Sequence, residues 1–420
     1  MCIRDRNNNL LRKANLEDIK LAYQTFLQRE VESESVAENL LKNKPRVIDI
    51  LKSITNSQEF SQAKVQRSFP NYLTKENKDT LKQLPKIIFF GAYGNGNLGD
   101  MIQANALARL FMSFGYKADE LAAVSWINVT DYDFVGTRLT PSSIWSFELL
   151  ASAELLVIGG GGLFDAVHYP LETVEWIECL IEYKIPYALL GVGVAQGYLK
   201  IHPKSLKLLV ENAVFNSGRD TPSLENLLKL DQTAKFVADP VLYSLLTQPV
   251  FTQPIKEDRV SIVLKYPHTE SDQKFIEKCK LIVNKNPKYD VIFLQTGLGA
   301  EDKTAQQFPN AIIAQDEISL LNILKKSKYC ISMRYHGCIL ALAAGCITFG
   351  LSQEKIGFLF NKIGLSQHYF SNPEIDLINL MQKDKLEPLQ QPNYVELIQE
   401  TKNNLDALMS NIKLANQFRV

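Results

Sequence analysis

The chain runs to 420 residues, too long for a single hydrophobic core, so at least two domains are expected. Lysine plus arginine equals aspartate plus glutamate at 46 each, which excludes an overall field drawing the chain to nucleic acid or an acidic surface but leaves room for a local basic pocket. A hydrophobic fraction of 46% and a charged fraction of 22% are ordinary for a globular protein, and no uninterrupted apolar run is long enough to cross a bilayer.

The opening "MCIRDRNNNL" lacks the apolar core of a signal peptide, and its first six residues read as a cloning or sequencing remnant. The six cysteines (Cys2, Cys179, Cys279, Cys330, Cys338, Cys346) form no C-x-x-C pair, and four sit in apolar contexts. They read as reduced, buried, small hydrophobes and point to the cytoplasm. Residues 16–66 carry a helical pattern: "LEDIKLAYQTFLQREVES" sets Ile19, Tyr23, Phe26 and Leu27 on one face. Pro45 suits a helix start in "PRVIDILKSITNSQEF", and residues 67–84 read as a linker. Residues 1–84 are therefore expected to form a helical extension and linker that the chemistry does not need.

From Pro85 the texture changes. Short apolar runs ending in turns alternate with helical patterns: "KIIFFGAYGNGNLGD", "AELLVIGGGGLFD", "IPYALLGVGVAQG", "AVFNSGRDTPS" and "KFVADPV". A second series follows near Arg259, with "RVSIVLKYP", "YDVIFLQTG", "NAIIAQ", "YCISMR" and "CITFGL". Continuous apolar strands alternating with amphipathic helices signal parallel sheets covered on both faces. The two prolines of "LTQPVFTQPIKED" place the junction, giving domains at 85–250 and 251–420. The last segment, "NYVELIQETKNNLDALMSNIKLANQF", reads as a long helix of the second domain. The expected fold class is α/β, with two doubly wound Rossmann-like domains facing a cleft and an N-terminal helical extension.

Ligands of such sheets bind beyond the carboxyl ends of the strands, where every unusual motif here falls. In "GAYGNGNLGD" the glycines permit a tight anion-cradling loop, and Asp100 suits a helix cap or a catalytic carboxylate. The loop is neither a Walker loop, lacking G-K-[ST], nor a good dinucleotide fingerprint. "GGGGLFD" and "GVGVAQG" also end strands, so Gly94, Asn97, Gly99, Gly160, Gly161 and Gly193 are expected to line the cleft; close helix–strand packing explains these last two motifs equally well, and a tight strand-to-helix turn is the plain alternative for the first. "NSGRDTPS" puts Arg219 at a strand end, with Thr221 as N-cap and Pro222 at N1. Asp239 in "VADPV" reads as a cap or a structural hydrogen bond, with Pro240 fixing the turn.

"KSKYCISMRYHGCILALAAGCITFGLSQEK" sets Arg334 and His336 between two apolar runs, where charge is costly unless paired. The arginine fork suits carboxylate or phosphate, the helix start favours an anion, and a histidine there can act as acid or base near neutral pH. Lys355, past the next strand, adds a cation to the same cleft.

"GAYGNGNLGD", "IGGGGLFD", "GVGVAQG", "GRDTPS", "ADP" and "SMRYHGCILALAAGC…LSQEK" stand in the order seen in polysaccharide pyruvyl transferases, a family the chain resembles over residues 86–360. The resemblance implies a two-domain fold like that of the GT-B glycosyltransferases. It also implies transfer of pyruvate from phosphoenolpyruvate onto a sugar of a cell-envelope or exopolysaccharide precursor as a ketal. It further implies that Arg334 and His336 of the R-x-H corner, and Arg219 of the R-D motif, hold the donor. Such a donor needs cations, for which Arg219, Arg334 and Lys355 are the candidates, while His336 and Asp100 are the candidates for proton transfer. The chemistry demands no metal and no cofactor beyond the co-substrate, and the sequence offers no H-x-x-H or cysteine cluster. The acceptor is expected to be a saccharide, free or lipid-linked, met in the cytoplasm or by a peripheral contact at the inner face of the membrane. The pattern "AYQTFLQREVES…SVAENLL…LKSITNSQEF" also resembles a small helical module found ahead of enzymes acting on envelope polysaccharides. Two rival readings stand beside this one: a GT-B glycosyltransferase using a nucleotide sugar, for which Glu354 would be the acidic residue, and a catalytically silent binding protein of a polysaccharide cluster.

Overall fold

A computed structural model describes residues 14–23, 31, 33–43, 50, 84–127, 132–165, 170–247, 257–284, 288–296, 300–372 and 392–417. Phe26, Leu27, Pro45 and the 67–83 stretch lie outside the described residues, as does Cys2. Two all-parallel sheets form the body. The first takes β1 (Ile87–Gly91), β2 (Leu121–Ser125), β3 (Thr137–Leu139), β4 (Leu155–Phe164), β5 (Tyr187–Val194), β6 (Phe215–Gly218) and β7 (Lys235–Phe236) in the order β3-β2-β1-β4-β5-β6-β7. The second takes β8 (Glu257–Leu264), β9 (Tyr289–Leu294), β10 (Ile312–Ala314), β11 (Ser327–Ser332), β12 (Ile347–Leu351) and β13 (Tyr369–Phe370) in the order β10-β9-β8-β11-β12-β13.

The strands are apolar without alternation because helices cover both faces; β1, β4 and β5 are buried along their whole length. Both sheets reverse their winding once, between β1 and β4 and between β8 and β11. Such reversals open a crevice at the carboxyl ends. This is the expected GT-B-like α/β architecture. The sequence reading passed over β2, β3 and β13: the last two are short edge strands, and β2 spells "LAAVS", poor in the branched and aromatic residues that signal a strand.

Three local readings are corrected. The run Gly159–Gly162 does not end its strand but lies inside β4, with Gly160 and Gly161 at φ +77 and +83 and a register shift before Phe164. Asn97, not Asp100, caps the helix Leu98–Ser113, its side chain accepting from Gly99 N at 3.1 Å, while Asp100 sits in the first turn. Asp220, not Thr221, caps the helix Thr221–Leu228 by accepting from Ser223 N at 2.9 Å.

The terminal helix Tyr394–Gln417 returns to the first sheet. Asn404 donates to Phe236 O at 2.7 Å and Thr401 accepts from Ala238 N at 3.1 Å, while Lys362 of the second half pairs with Glu400. Leu98 N of the first half donates to Gln295 O of the second at 2.9 Å, and Arg109 forks onto both Glu317 oxygens at 3.1 and 2.9 Å. These contacts fix the cleft between the halves.

The N-terminal helix Leu16–Ala22 begins with a reciprocal cap: Asn15 and Asp18 exchange backbone-to-side-chain bonds of 3.0 and 2.8 Å. Ile19, Tyr23, Ala37 and Ile50 are buried in the same apolar cluster as Ile88, Phe90 and Trp145. The described part of the extension thus shares the core of the first half. Ile19→Ala is expected to lower the unfolding free energy by about 2–5 kcal/mol, the usual cost of truncating a buried isoleucine. Urea titration of the full chain checks this, and an unchanged midpoint would make the extension a mere appendage.

Candidate active site

The carboxyl ends of six strands converge on one cleft, Leu294 at the end of β9 among them. Asn97, Gly99 and Asp100 follow β1; Gly162 and Asp165 close β4; Arg219 follows β6; Arg334, Tyr335 and His336 follow β11; Gln353 and Lys355 follow β12. These residues line one narrow pocket between the two halves. The sequence-predicted cations Arg219, Arg334 and Lys355, with His336 and Asp100, are thus brought together from both halves.

Arg219 is buried, its side chain only 2% exposed, and three carboxylates surround it: Asp165 at 3.3 Å, Asp220 at 3.5 Å and Asp239 at 3.9 Å. Burial pushes its pKa down, but Asp165, Tyr335, Asp220 and Asp239 outweigh that and hold it above an ordinary arginine's. Its guanidinium also lies 5.2 Å from the centre of the Tyr335 ring, a contact between the two halves. Lys355 approaches the same ring at 5.6 Å. Burial and the nearby Arg219 charge lower the Lys355 pKa, with Asp165 and Asp100 partly offsetting them.

Arg334 stands at the sharp corner after β11, where Ser332 Oγ accepts from Arg334 N at 3.1 Å and donates to Arg334 O at 2.8 Å. Its guanidinium pairs with Glu301, which is 2% exposed and also accepts from the Thr296 hydroxyl. Sequence reasoning missed Glu301. The one available signal was its place just beyond β9, at the same end of the sheet. His336 sits in the first turn of the helix Tyr335–Ala343, with Nε2 3.6 Å from Asp239 Oδ2 and 3.0 Å from Gln103 Nε2. Asp239 does make the expected structural bond, accepting from Val241 N at 3.0 Å, but it also faces His336 and Arg219. Burial pushes the Asp239 carboxyl up, yet His336, Arg219 and Gln103 together hold it below its usual value.

The glycines make room for side chains more than they present N–H groups. A Cβ on Gly99 would lie 2.2 Å from His336 Nδ1, one on Gly193 2.7 Å from Arg219 Nη2, and one on Gly160 2.8 Å from Gln103. Gly161 faces Asp100 Oδ1, and Gly162 is the member of that run that lines the cleft. Gly94 is buried and donates from its N to Ser125 Oγ at 2.8 Å, away from the lining residues. Among the described residues, no group of three or more His, Cys, Asp or Glu is set to hold a metal ion, and no helix is long and apolar enough to cross a membrane.

Two substitutions read out this geometry. Glu301→Ala leaves a buried guanidinium without its carboxylate and is expected to cost about 3–5 kcal/mol of stability, measured by urea unfolding. Gly99→Ala displaces His336 without touching the core, so the circular dichroism spectrum should stay unchanged while turnover of the natural reaction falls about a hundredfold.

A family model, "Polysaccharide pyruvyl transferase", matches residues 97–354. No protein of curated function matches the chain. Solved structures similar to it include a UDP-GlcNAc 2-epimerase of Methanocaldococcus jannaschii, at TM-score 0.49 and 10% identity over 77% of this chain and 99% of that one. A Staphylococcus aureus protein solved with UDP matches at TM-score 0.46 and 10% identity, over 76% of this chain and 92% of that one. A UDP-forming trehalose-phosphate synthase of Burkholderia xenovorans matches at TM-score 0.44 and 9% identity, over 78% and 99%. These likenesses are too distant to carry a functional argument, whereas the family match spans more than half of the sequence and most of the cleft residues. The chain belongs to the polysaccharide pyruvyl transferase family.

Proposed function

We propose that the protein transfers the pyruvate unit of phosphoenolpyruvate onto two hydroxyls of a saccharide in a cell-envelope or exopolysaccharide precursor, free or lipid-linked, forming a ketal. The observation that carries this reading is the meeting of Arg219, Arg334 and Lys355 around His336 in one cleft between the halves. A donor with a carboxylate and a phosphate matches those three cations. The nucleotide-sugar alternative loses its acidic residue, because Glu354 is exposed and only its neighbour Lys355 lines the cleft.

In the proposed reaction the methylene carbon of the donor takes up a proton and becomes a methyl group, leaving the adjacent carbon electron-poor. One sugar hydroxyl adds there and gives up its proton. The carbon–oxygen bond to phosphate then breaks, phosphate leaves with the bonding pair, and the second hydroxyl closes the ring and releases its proton. Two hydroxyl protons balance one proton gained by carbon and one carried off with phosphate. As imidazolium, stabilised by Asp239 from the other side of the ring, His336 supplies the carbon's proton from Nδ1, beside Gly99. Asp100, buried at 6% exposure and held by Asn95 Nδ2 at 2.7 Å, is the candidate base for the hydroxyl proton. Arg334, oriented by Glu301, and Arg219, whose buried Nε makes no hydrogen bond within the protein, supply donors for the anionic oxygens.

The test is phosphate release from phosphoenolpyruvate with a panel of nitrophenyl and undecaprenyl-linked sugars. His336→Ala is expected to lose a hundredfold or more in kcat, as removal of a proton-transfer group usually does. Arg334→Lys should raise the donor KM, because a point charge replaces a bidentate fork. Wild-type rates in both variants would remove the site from the reaction.

The lowered pKa of Lys355 gives a pH signature. Its cation is lost at lower pH than that of a free lysine, about 10.4, so kcat/KM for the donor should fall as pH rises toward that value. Lys355→Arg should carry the fall to higher pH. An alkaline limb that does not move would place donor attraction elsewhere.

A further inference from the structure

Gln103 is fully buried on the helix Leu98–Ser113, between His336 and Asp239. Its Nε2 stands 3.1 and 3.0 Å from the two Asp239 oxygens and 3.0 Å from Nε2 of His336. An amide oxygen in that place would face two carboxylate oxygens with no hydrogen between them, so the amino group belongs there. The arrangement is built at some cost. The amide oxygen is buried without a hydrogen bond, and Gly160 adopts φ +77 where any Cβ would lie 2.8 Å from Gln103. A leucine would fill the space with no orphaned oxygen, so stability alone does not account for a glutamine.

The two amide hydrogens meet three atoms. One serves the Asp239 carboxylate. The other can serve His336 only if Nε2 offers a bare lone pair, and in a neutral imidazole that puts the proton on Nδ1. Nδ1 is the atom against Gly99, at the wall of the cleft. From this geometry we infer that Gln103 is a positioning residue that holds neutral His336 as its Nδ1–H tautomer, so that the ring meets an anionic donor with an N–H and not with a lone pair. The second half of that statement rests on the phosphoenolpyruvate reading above; the tautomer itself does not.

Asp239 by itself would do the opposite. At 3.6 Å from Nε2 it favours a proton there, which would leave Nδ1 bare before an incoming anion. The other charged or titratable groups about the ring are Asp100, Arg219, Lys355, the Arg334–Glu301 pair and Tyr335, whose ring centre is 5.4 Å away. None of them distinguishes between the two ring nitrogens as Gln103 does at hydrogen-bond distance. In the imidazolium both ring nitrogens carry protons, so no tautomer is left for Gln103 to select.

The direct test is nitrogen NMR of the full chain labelled with 15N-histidine, His336 being assigned by the signal lost in His336→Asn. Above the ring's titration, a protonated Nδ1 and a bare Nε2 are expected; a protonated Nε2 overturns the inference without any variant. In Gln103→Leu the proton should move toward Nε2. The KM for phosphoenolpyruvate in that variant should then rise about tenfold, the worth of one hydrogen bond to a charged group, at pH above the titration and return to the wild-type value below it. A rise that is equal on both sides of the titration marks a merely structural role and overturns the positioning claim. An Nδ1–H ring in a protein that neither binds nor turns over phosphoenolpyruvate upholds the tautomer and overturns the donor assignment alone.

Discussion

Arg219 is a full positive charge with 2% of its side chain exposed, and the site is arranged around keeping it there. An unpaired guanidinium so placed would be prohibitive, and pairing it needs carboxylates from several directions. Asp165 comes from the end of β4, Asp220 from the cap of the next helix, and Asp239 from the turn after β7. Three strand ends must therefore finish within a few ångströms of one another, which fixes the floor of the cleft. Two glycines follow from the same demand: a Cβ on Gly193 or Gly162 would meet the guanidinium at 2.7 or 3.3 Å. Through Tyr335 the same charge reaches the second half, so the cation also helps set the two sheets relative to each other.

The second half offers a parallel solution. Arg334 sits at a corner between two apolar runs, and Glu301 from beyond β9 compensates it. In both halves a buried arginine is neutralised by acids that belong to the protein, which leaves an oriented fork facing the cleft. On the proposed reading, an anionic donor would meet cations whose desolvation is already met in the folded chain, with little reorganisation left on binding. Lys355 differs, since burial and Arg219 both work against its charge. It gains most from the arrival of an anion.

Much of this was legible in the sequence, and the reasons differ by residue. Continuous apolar runs such as "KIIFF" and "YCISM" marked parallel strands because both faces are covered, and the rule that ligands gather at strand ends then selected Arg219, Arg334, His336 and Lys355. Glu301 and Gln103 escaped because nothing local distinguishes them; one lies past an unremarkable strand and the other is a polar residue inside a helix. The role of Gln103 exists only once the two halves meet, and that of Glu301 only once β9 and β11 finish at the same end of the second sheet. Asp239 was read as a cap or a structural hydrogen bond, and it does accept from Val241 N, but its second face toward His336 depends on the packing of the two halves and no spacing rule reports that. The glycine motifs were read either as room for a ligand or as close packing, and Gly99, Gly160 and Gly193 clear space for the side chains of His336, Gln103 and Arg219. Helix caps were misplaced by one to three residues because several capping residues compete at each start.

The central claim is that the cations of the cleft are arranged for a small anion carrying both a carboxylate and a phosphate. Calorimetric titration of the full chain with phosphoenolpyruvate, and separately with a UDP-sugar, tests it most directly. The account predicts saturable, salt-sensitive binding of phosphoenolpyruvate that Arg219→Met abolishes, and no comparable heat from the UDP-sugar. Saturable binding of the UDP-sugar with none of phosphoenolpyruvate would contradict it.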